Sequence, residues 1–320
     1  MDPARTARGD VLSRSISSDV TRIALTLSLG GIYTVPEMAD HFATFRNTAC
    51  RVETKGKLNP ALTCRNRMTV LDCKTLVCAI CLLLGLFAAG SAPAEEIRVA
   101  VASNFADAMQ DLAGRYEQQS GHKIILAFGS TGKHYAQIKH GAPFSAFFAA
   151  DVERPEQLEE EGLAVPGSRF TYAIGKLVLW SPRADYVDPA GKVLEQGDFR
   201  HLALANPKLA PYGKAAREVL ERRGLWRVLQ DRLVRGENIG QAFQFVKSSN
   251  AELGFVAWSQ VNRPGKPMIG SWWEIPQALY SPIEQQAVLL EDNPVARDFL
   301  TFARSEAALE IIRAHGYGTP

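Results

Sequence analysis

The sequence predicts an α/β protein of two lobes with a cleft between them, and three observations carry that prediction. Strand-like apolar runs alternate with helix-like segments in two separate batches, the pattern of mixed, mostly parallel sheets flanked by helices. The run 170–180 is too long for one ordinary strand and reads as a chain leaving one lobe for another, with Gly175 as a hinge. Several strands end in short polar turns that open straight into helices, the place where open α/β sheets bind ligands.

Taken in order, the first strand is Ile97-Arg98-Val99-Ala100-Val101-Ala102, followed by Ser103-Asn104. Phe105, Met109, Leu112 and Tyr116 then recur at helical spacing until Gly121 stops the helix. Residues 123–128 form a second strand running into Gly129-Ser130-Thr131-Gly132-Lys133 and a second helix. That glycine-lysine spacing is too short for a nucleoside-triphosphate loop and lacks the following hydroxyl residue. His134, one turn into the helix, reads as a surface or packing residue. The apolar run 144–150 suits a strand buried on both faces, and the acidic helix after Asp151 suits a solvated face.

A second batch repeats the pattern. Strand 201–205 leads through Asn206-Pro207 and Pro211-Tyr212-Gly213 into a helix. Leu233-Val234 leads through Asn238-Ile239-Gly240 into another, and 253–258 is again a buried strand. Residues 264–273, rich in Pro, Gly and Trp, read as loop. The strand 282–290 returns to the first lobe before a final helix pair. The expected division is 95–176 for the first lobe, 177–270 for the second and 271–320 for the return.

What precedes residue 95 differs in kind. Residues 1–67 lack strand–helix alternation and read as a non-native or disordered leader. Lys74, the apolar run 76–89 and Ser91-Ala92-Pro93-Ala94 form the signature of a secretory signal peptide over 68–94. Translation from Met68, cleavage after Ala94 and a periplasmic mature chain are therefore expected; the alternative is a start at Met1 with this segment as a membrane anchor. All five cysteines precede Ala94, so the mature part has no disulfide, zinc site or thiol nucleophile. Of 36 basic and 34 acidic residues, 11 and 7 precede Glu95, leaving 25 against 27. A near-neutral domain without a basic stripe gives no support for nucleic-acid binding.

Four strand-to-helix junctions share one chemistry. Ser103-Asn104 and Ser130-Thr131 belong to the first lobe, Pro211-Tyr212-Gly213 and Asn238-Ile239-Gly240 to the second. Each supplies neutral donors (hydroxyl, amide, phenol or backbone N–H) at a helix start, where orphaned amides and the helix dipole favour an anion. Lobe closure would bring the four together. No carboxylate occupies these turns, whereas a protonated oxyanion such as hydrogen phosphate needs an acceptor. The lining favours a fully ionised tetrahedral dianion: sulfate, molybdate, tungstate or chromate. No nucleophile with a neighbouring base is evident, so an enzyme is not expected.

The mature chain resembles, over nearly its whole length, the periplasmic molybdate-binding proteins of bacterial ABC uptake systems. The resemblance rests on Val101-Ala102-Ser103-Asn104-Phe105, Gly129-Ser130-Thr131-Gly132, Tyr135-Ala136-Gln137-Ile138, Gly141-Ala142-Pro143, Phe148-Ala149-Ala150-Asp151 and Pro166-Gly167-Ser168-Arg169. It continues in residues 172–180, in Ala210-Pro211-Tyr212-Gly213 after Asn206-Pro207, and in Leu253-Gly254-Phe255-Val256-Ala257. It implies a two-lobed, type II binding-protein fold that closes on molybdate or tungstate without a cofactor and delivers it to an inner-membrane permease. Carried over by position, the ligands would be Ser103, Asn104, the hydroxyl at Thr131 (with Ser130 as the alternative), the Tyr212 region and the N–H of Ile239. Relatives often carry a further tyrosine in the later hinge, and nothing in 259–271 matches it. A monomer is expected. A sulfate-type binder is the alternative within the class; an oxyanion-sensing domain of a regulator is disfavoured because no DNA-binding helix pair precedes the lobes.

Overall fold

The computed structural model describes residues 94–320. The expected leader, the expected signal peptide (its last residue aside) and the five cysteines lie outside the described residues.

The first lobe opens with β1 (Glu96–Ala102), a 3-10 turn (Ser103–Phe105) and α1 (Ala106–Ser120). Then come β2 (Lys123–Gly129), α2 (Thr131–Lys139), β3 (Ala146–Phe148), α3 (Glu153–Glu160) and β4 (Phe170–Gly175). The second lobe holds β5 (Leu177–Ser181), α4 (Val193–Gln196), β6 (Leu202–Ala205), α5 (Pro211–Arg222) and β7 (Leu233–Gly236). It continues through α6 (Ile239–Lys247), β8 (Leu253–Ala257), α7 (Trp258–Val261) and β9 (Ser271–Glu274). The chain then returns as β10 (Ile283–Leu289), α8 (Pro294–Ala303) and α9 (Glu306–Ala314).

The two sheets are built alike. The first runs β2-β1-β3-β10-β4 and the second β7-β6-β8-β5-β9. In each, three parallel strands are followed by one antiparallel strand, β10 or β5, and then a fifth. The central strands read as continuous apolar runs because helices cover both faces. Val99, Val101 and Phe148 pack against Met109, Leu112 and Phe299 in one lobe, and Leu202, Leu204 and Phe255 against Ala216 and Val219 in the other. Gly121 ends α1 with a φ of 75°, the left-handed cap expected of it.

The long run 170–180 is two strands in two different sheets, parted at Lys176, so the chain does change lobes there. Gly175 has a reason beyond hinging. A Cβ there would lie 2.2 Å from the Tyr212 hydroxyl and 2.8 Å from Nε2 of Gln285, so only glycine lets those groups meet. The second crossing departs from expectation. Residues 271–274 were expected in the returning segment and in loop, but β9 pairs with β5 at the edge of the second sheet. Ser181↔Ser271 and Leu179↔Trp273 are cross-strand partners, and Trp273 buries its ring in the second core. The return therefore begins at β10, a strand expected to come back to the first lobe, which pairs antiparallel with both β3 and β4.

Candidate ligand-binding site between the lobes

Each lobe sends two helix starts to the same side. β1 passes through the 3-10 turn into α1, and β2 passes through Ser130 into α2. Ser130 is extended (φ −78°, ψ 145°) and its hydroxyl caps nothing. In the second lobe α5 begins at Pro211, a residue suited to the first helical position because it has no N–H to satisfy. α6 is capped by Asn238, whose Oδ1 accepts from the Gln241 amide at 3.0 Å. Gly213 lets α5 start hard against β6: a Cβ there would sit 2.3 Å from the Ala205 carbonyl.

The four starts meet across the cleft. The Gly240 amide donates to Ser103 Oγ at 3.3 Å, and the Gly132 amide donates to the Leu209 carbonyl at 2.9 Å. Ser259 Oγ of α7 lies 3.1 Å from the Asn104 carbonyl and 2.9 Å from the Tyr317 hydroxyl. At the rim, Lys133 pairs with Glu237 at 3.2 Å and Arg263 with Asp107 at 3.0 Å. The lobes are closed on one another.

Within that junction the anticipated residues have distinct positions. Ser130 Oγ is buried and has no hydrogen-bond partner, an orphan donor of the kind a ligand satisfies. Thr131 Oγ1, also buried, accepts from the Ala150 amide at 3.0 Å and keeps its own proton to donate. Ser103 Oγ accepts from Gly240 and likewise keeps a proton. Ile239, 3% exposed, opens α6 with an amide that has no intrahelical acceptor; its carbonyl accepts from Gln260 Nε2 at 3.3 Å.

Asn104 departs from expectation. Its side-chain amide was expected to reach the ligand, but Nδ2 donates to Gln285 Oε1 at 2.7 Å and to the Tyr317 hydroxyl at 3.1 Å. Both amide hydrogens are committed inside the first lobe, which leaves the main-chain N–H of the 3-10 turn facing outward chemistry. Tyr212, 1% exposed, accepts from Gln285 Nε2 at 3.5 Å, and no acceptor among the described residues takes its proton.

Four residues of this network escaped sequence reasoning: Gln285, Tyr172, Tyr317 and Ser259. The Tyr172 hydroxyl lies 3.1 Å from both the Ala149 carbonyl and Gln285 Oε1 and has a single proton to give, and Tyr317 donates to the Asn104 carbonyl at 2.6 Å. Gln285 had one visible signal, a polar side chain pointing to the buried face of an apolar strand, where it is wholly inaccessible. Burial raises the phenols of Tyr172, Tyr212 and Tyr317 above their usual value, so all three stay protonated.

The anticipated site residues are thus all neutral, while the small cavity beside Ser103, Asn104, Gly240 and Ser259 also has Asp107 and Arg263 in its lining. Lys133 pairs with Glu237 and Arg263 with Asp107, and His134 packs edge-on against Phe144 at 5.7 Å. Among the described residues no group of three or more His, Cys, Asp or Glu is placed to hold a metal ion.

Residues 97–318 match the model of the bacterial extracellular solute-binding proteins. The chain belongs to that family. The solute-binding chain is 52% identical, over 71% of its length and 92% of the relative's, to the molybdate-binding protein ModA of Azotobacter vinelandii. It is 46% identical to the Rhodobacter capsulatus protein of the same name, over 75% of its own length and 94% of that one's. Among solved structures, the periplasmic molybdate-binding protein of Azotobacter vinelandii superposes with a TM-score of 0.68 at 44% identity, covering 70% of this chain and 99% of that one. The two-lobed fold and the solute-binding rather than enzymatic character of the chain follow from these matches.

Proposed function

We propose that this protein binds molybdate in the periplasm and hands it to an ABC permease for uptake. The single observation that carries the ligand class is Ser130 Oγ, buried without a partner where two lobes bring their helix starts together. With it we assign to the ligand the hydroxyls of Ser103 and Thr131, the amides of Asn104, Tyr212 and Ile239, and the Tyr212 phenol. A dianion in that enclosure collects hydrogen bonds worth about 1.5–3 kcal/mol each. Each helix dipole adds about 0.3–2 kcal/mol. Five or six such bonds support micromolar or tighter binding after the cost of association. No lysine or arginine has to enter. Tungstate, equal to molybdate in charge and shape, fits the same donors, and no bound cofactor is called for. Molybdate rather than sulfate is favoured by the relatives at 52% and 46% identity, both named for molybdate. In this account residues 68–94 export the chain, which works as a monomer.

Calorimetric titration with sodium molybdate, tungstate, sulfate and phosphate tests the proposal. Sub-micromolar molybdate binding undisturbed by excess sulfate is expected; preference for sulfate or phosphate would refute it.

A further inference from the structure

Gln285 lies deep between the two lobes, touches two of the residues assigned above to the ligand, and has no role in the account so far. Resting on that assignment, we infer that Gln285 is a positioning residue that fixes which way the Tyr212 hydroxyl points its proton, and thereby makes the site selective for oxyanions without a proton of their own.

The polarity of the chain of hydrogen bonds can be read from its anchored end. The Tyr317 hydroxyl lies 2.6 Å from the Asn104 carbonyl and 2.9 Å from Ser259 Oγ; it gives its only proton to the carbonyl, a group that can only accept, and accepts from Ser259. The Tyr317 oxygen can then only accept, so the Asn104 side-chain atom 3.1 Å away is the NH2 and not the carbonyl. That NH2 turns its other hydrogen to Gln285 at 2.7 Å, which makes the atom it meets Oε1. The Tyr172 hydroxyl, 3.1 Å from the same oxygen and 3.1 Å from the Ala149 carbonyl, is compatible with this orientation. Gln285 must therefore present Nε2 on its other side, and that is where the Tyr212 hydroxyl lies, 3.5 Å away. A hydroxyl facing an NH2 accepts there and has to send its proton elsewhere. No acceptor among the described residues takes it, so the proton is available to a bound anion.

Each link is buried: Gln285 is 0% exposed, Tyr212 and Tyr172 1%, Asn104 4% and Tyr317 5%, so water does not scramble the orientation. Gly175 completes the arrangement by omitting the Cβ that would collide with both Tyr212 and Gln285. The result is a tyrosine that turns its proton toward the ligand, with one of its acceptor positions already taken by Gln285 Nε2. Inorganic phosphate near neutral pH carries at least one proton that needs an acceptor, and a tyrosine held in this orientation faces it with a proton instead. Molybdate has no such proton.

Calorimetry on the full chain tests the inference, using sodium molybdate and inorganic phosphate as probes with wild type, Gln285→Met, Tyr212→Phe and the double variant. Gln285→Met frees the Tyr212 hydroxyl to rotate. It is expected to weaken molybdate about tenfold, the equivalent of one hydrogen bond to a charged group. Phosphate binding should stay level or rise, so that the molybdate-to-phosphate ratio falls by about tenfold or more. In the Tyr212→Phe background the same substitution should change molybdate affinity less than about threefold, because the proton it controls is gone. Gln285→Glu is the second test and the substitute if Gln285→Met does not melt cooperatively. Its carboxylate takes the Tyr212 proton, and the ratio must fall again. An unchanged ratio in the Gln285 variants, or an equal effect of Gln285→Met with and without the Tyr212 hydroxyl, overturns the inference while leaving the ligand assignment standing. A wild type indifferent to molybdate overturns the ligand assignment itself.

Discussion

The first lobe brings to the cleft mainly side-chain hydroxyls, and the second brings mainly main-chain amides. Ser103, Ser130 and Thr131 carry the hydroxyls, and the last of these is held by the Ala150 amide. Across from them, α5 and α6 offer the amides of Tyr212 and Ile239, held in place by close packing such as Gly213 against the Ala205 carbonyl. Side-chain donors are tuned by partners that can be substituted one at a time. Main-chain donors are tuned by where a helix begins, and no side-chain truncation removes them. In the proposed site an anion would therefore meet one wall that tolerates adjustment and one that does not.

The sharpest way to break this contrast is to delete a main-chain donor without disturbing its helix. Ile239→Pro removes one N–H at the first position of α6, where proline is accepted and where Asn238 is already extended (φ −139°, ψ 173°) as a residue before proline requires. Molybdate affinity should fall about 10–100-fold by calorimetry. Ile239→Ala, which trims the side chain and keeps the amide, should cost affinity far less; equal losses would show that the amide is not a ligand.

On the first wall, Ser130→Ala and Thr131→Val separate two kinds of hydroxyl. Ser130→Ala should weaken molybdate about tenfold and leave the melting temperature unchanged, since that hydroxyl has no protein partner. Thr131→Val should lower affinity and stability together, the latter by about 1–3 kcal/mol, because the Ala150 amide is left buried and unpaired. A Ser130→Ala variant with wild-type affinity would place the ligand hydroxyl at Thr131 alone.

How far the sequence disclosed this contrast follows from which signals are local. Strand–helix alternation, glycine caps and the small polar turns are decided by near neighbours, so both lobes, the first crossing and all four junctions were legible in it. β9 was not, since its pairing with β5 joins residues some ninety positions apart and its Pro, Gly and Trp surroundings look like loop. Nor was the Asn104–Gln285–Tyr212 network, whose members are separated by 181 and 73 positions, the first pair meeting only when the first lobe folds and the second only when the lobes pack. An asparagine at a helix start looks like a ligand whether its amide faces out or in. Only the fold shows that it faces in.

Smaller effects sharpen the picture at the rim. Lys133 and Glu237 are half-exposed and pair at 3.2 Å across the cleft mouth, a geometry worth about 0.2–1 kcal/mol. Lys133→Ala should weaken molybdate less than about fivefold, and raising the salt concentration should erase the difference. A larger, salt-insensitive loss would mean that the lysine reaches the anion. His134 belongs to neither wall. Burial holds its imidazole below the ordinary value of 6.5, so the unfolded chain binds the proton more readily than the folded one. Stability should be full above that value and decline as the pH drops below it. Between pH 7.5 and 5.5 the wild-type melting temperature should fall on the order of a few °C more than that of His134→Gln, with the molybdate site unaffected. Parallel melting curves would contradict this.

The central claim is that neutral donors from two lobes, and nothing else, enclose a tetrahedral dianion. A crystal structure of the molybdate complex, with the molybdenum located by anomalous scattering, tests it most directly. The predicted result is one molybdenum between the helix starts, its oxygens meeting the hydroxyls of Ser103 and of Ser130 or Thr131 and the amides of Asn104, Tyr212 and Ile239. A lysine, arginine or carboxylate in contact with the anion, or a molybdenum seated away from these four turns, would contradict it.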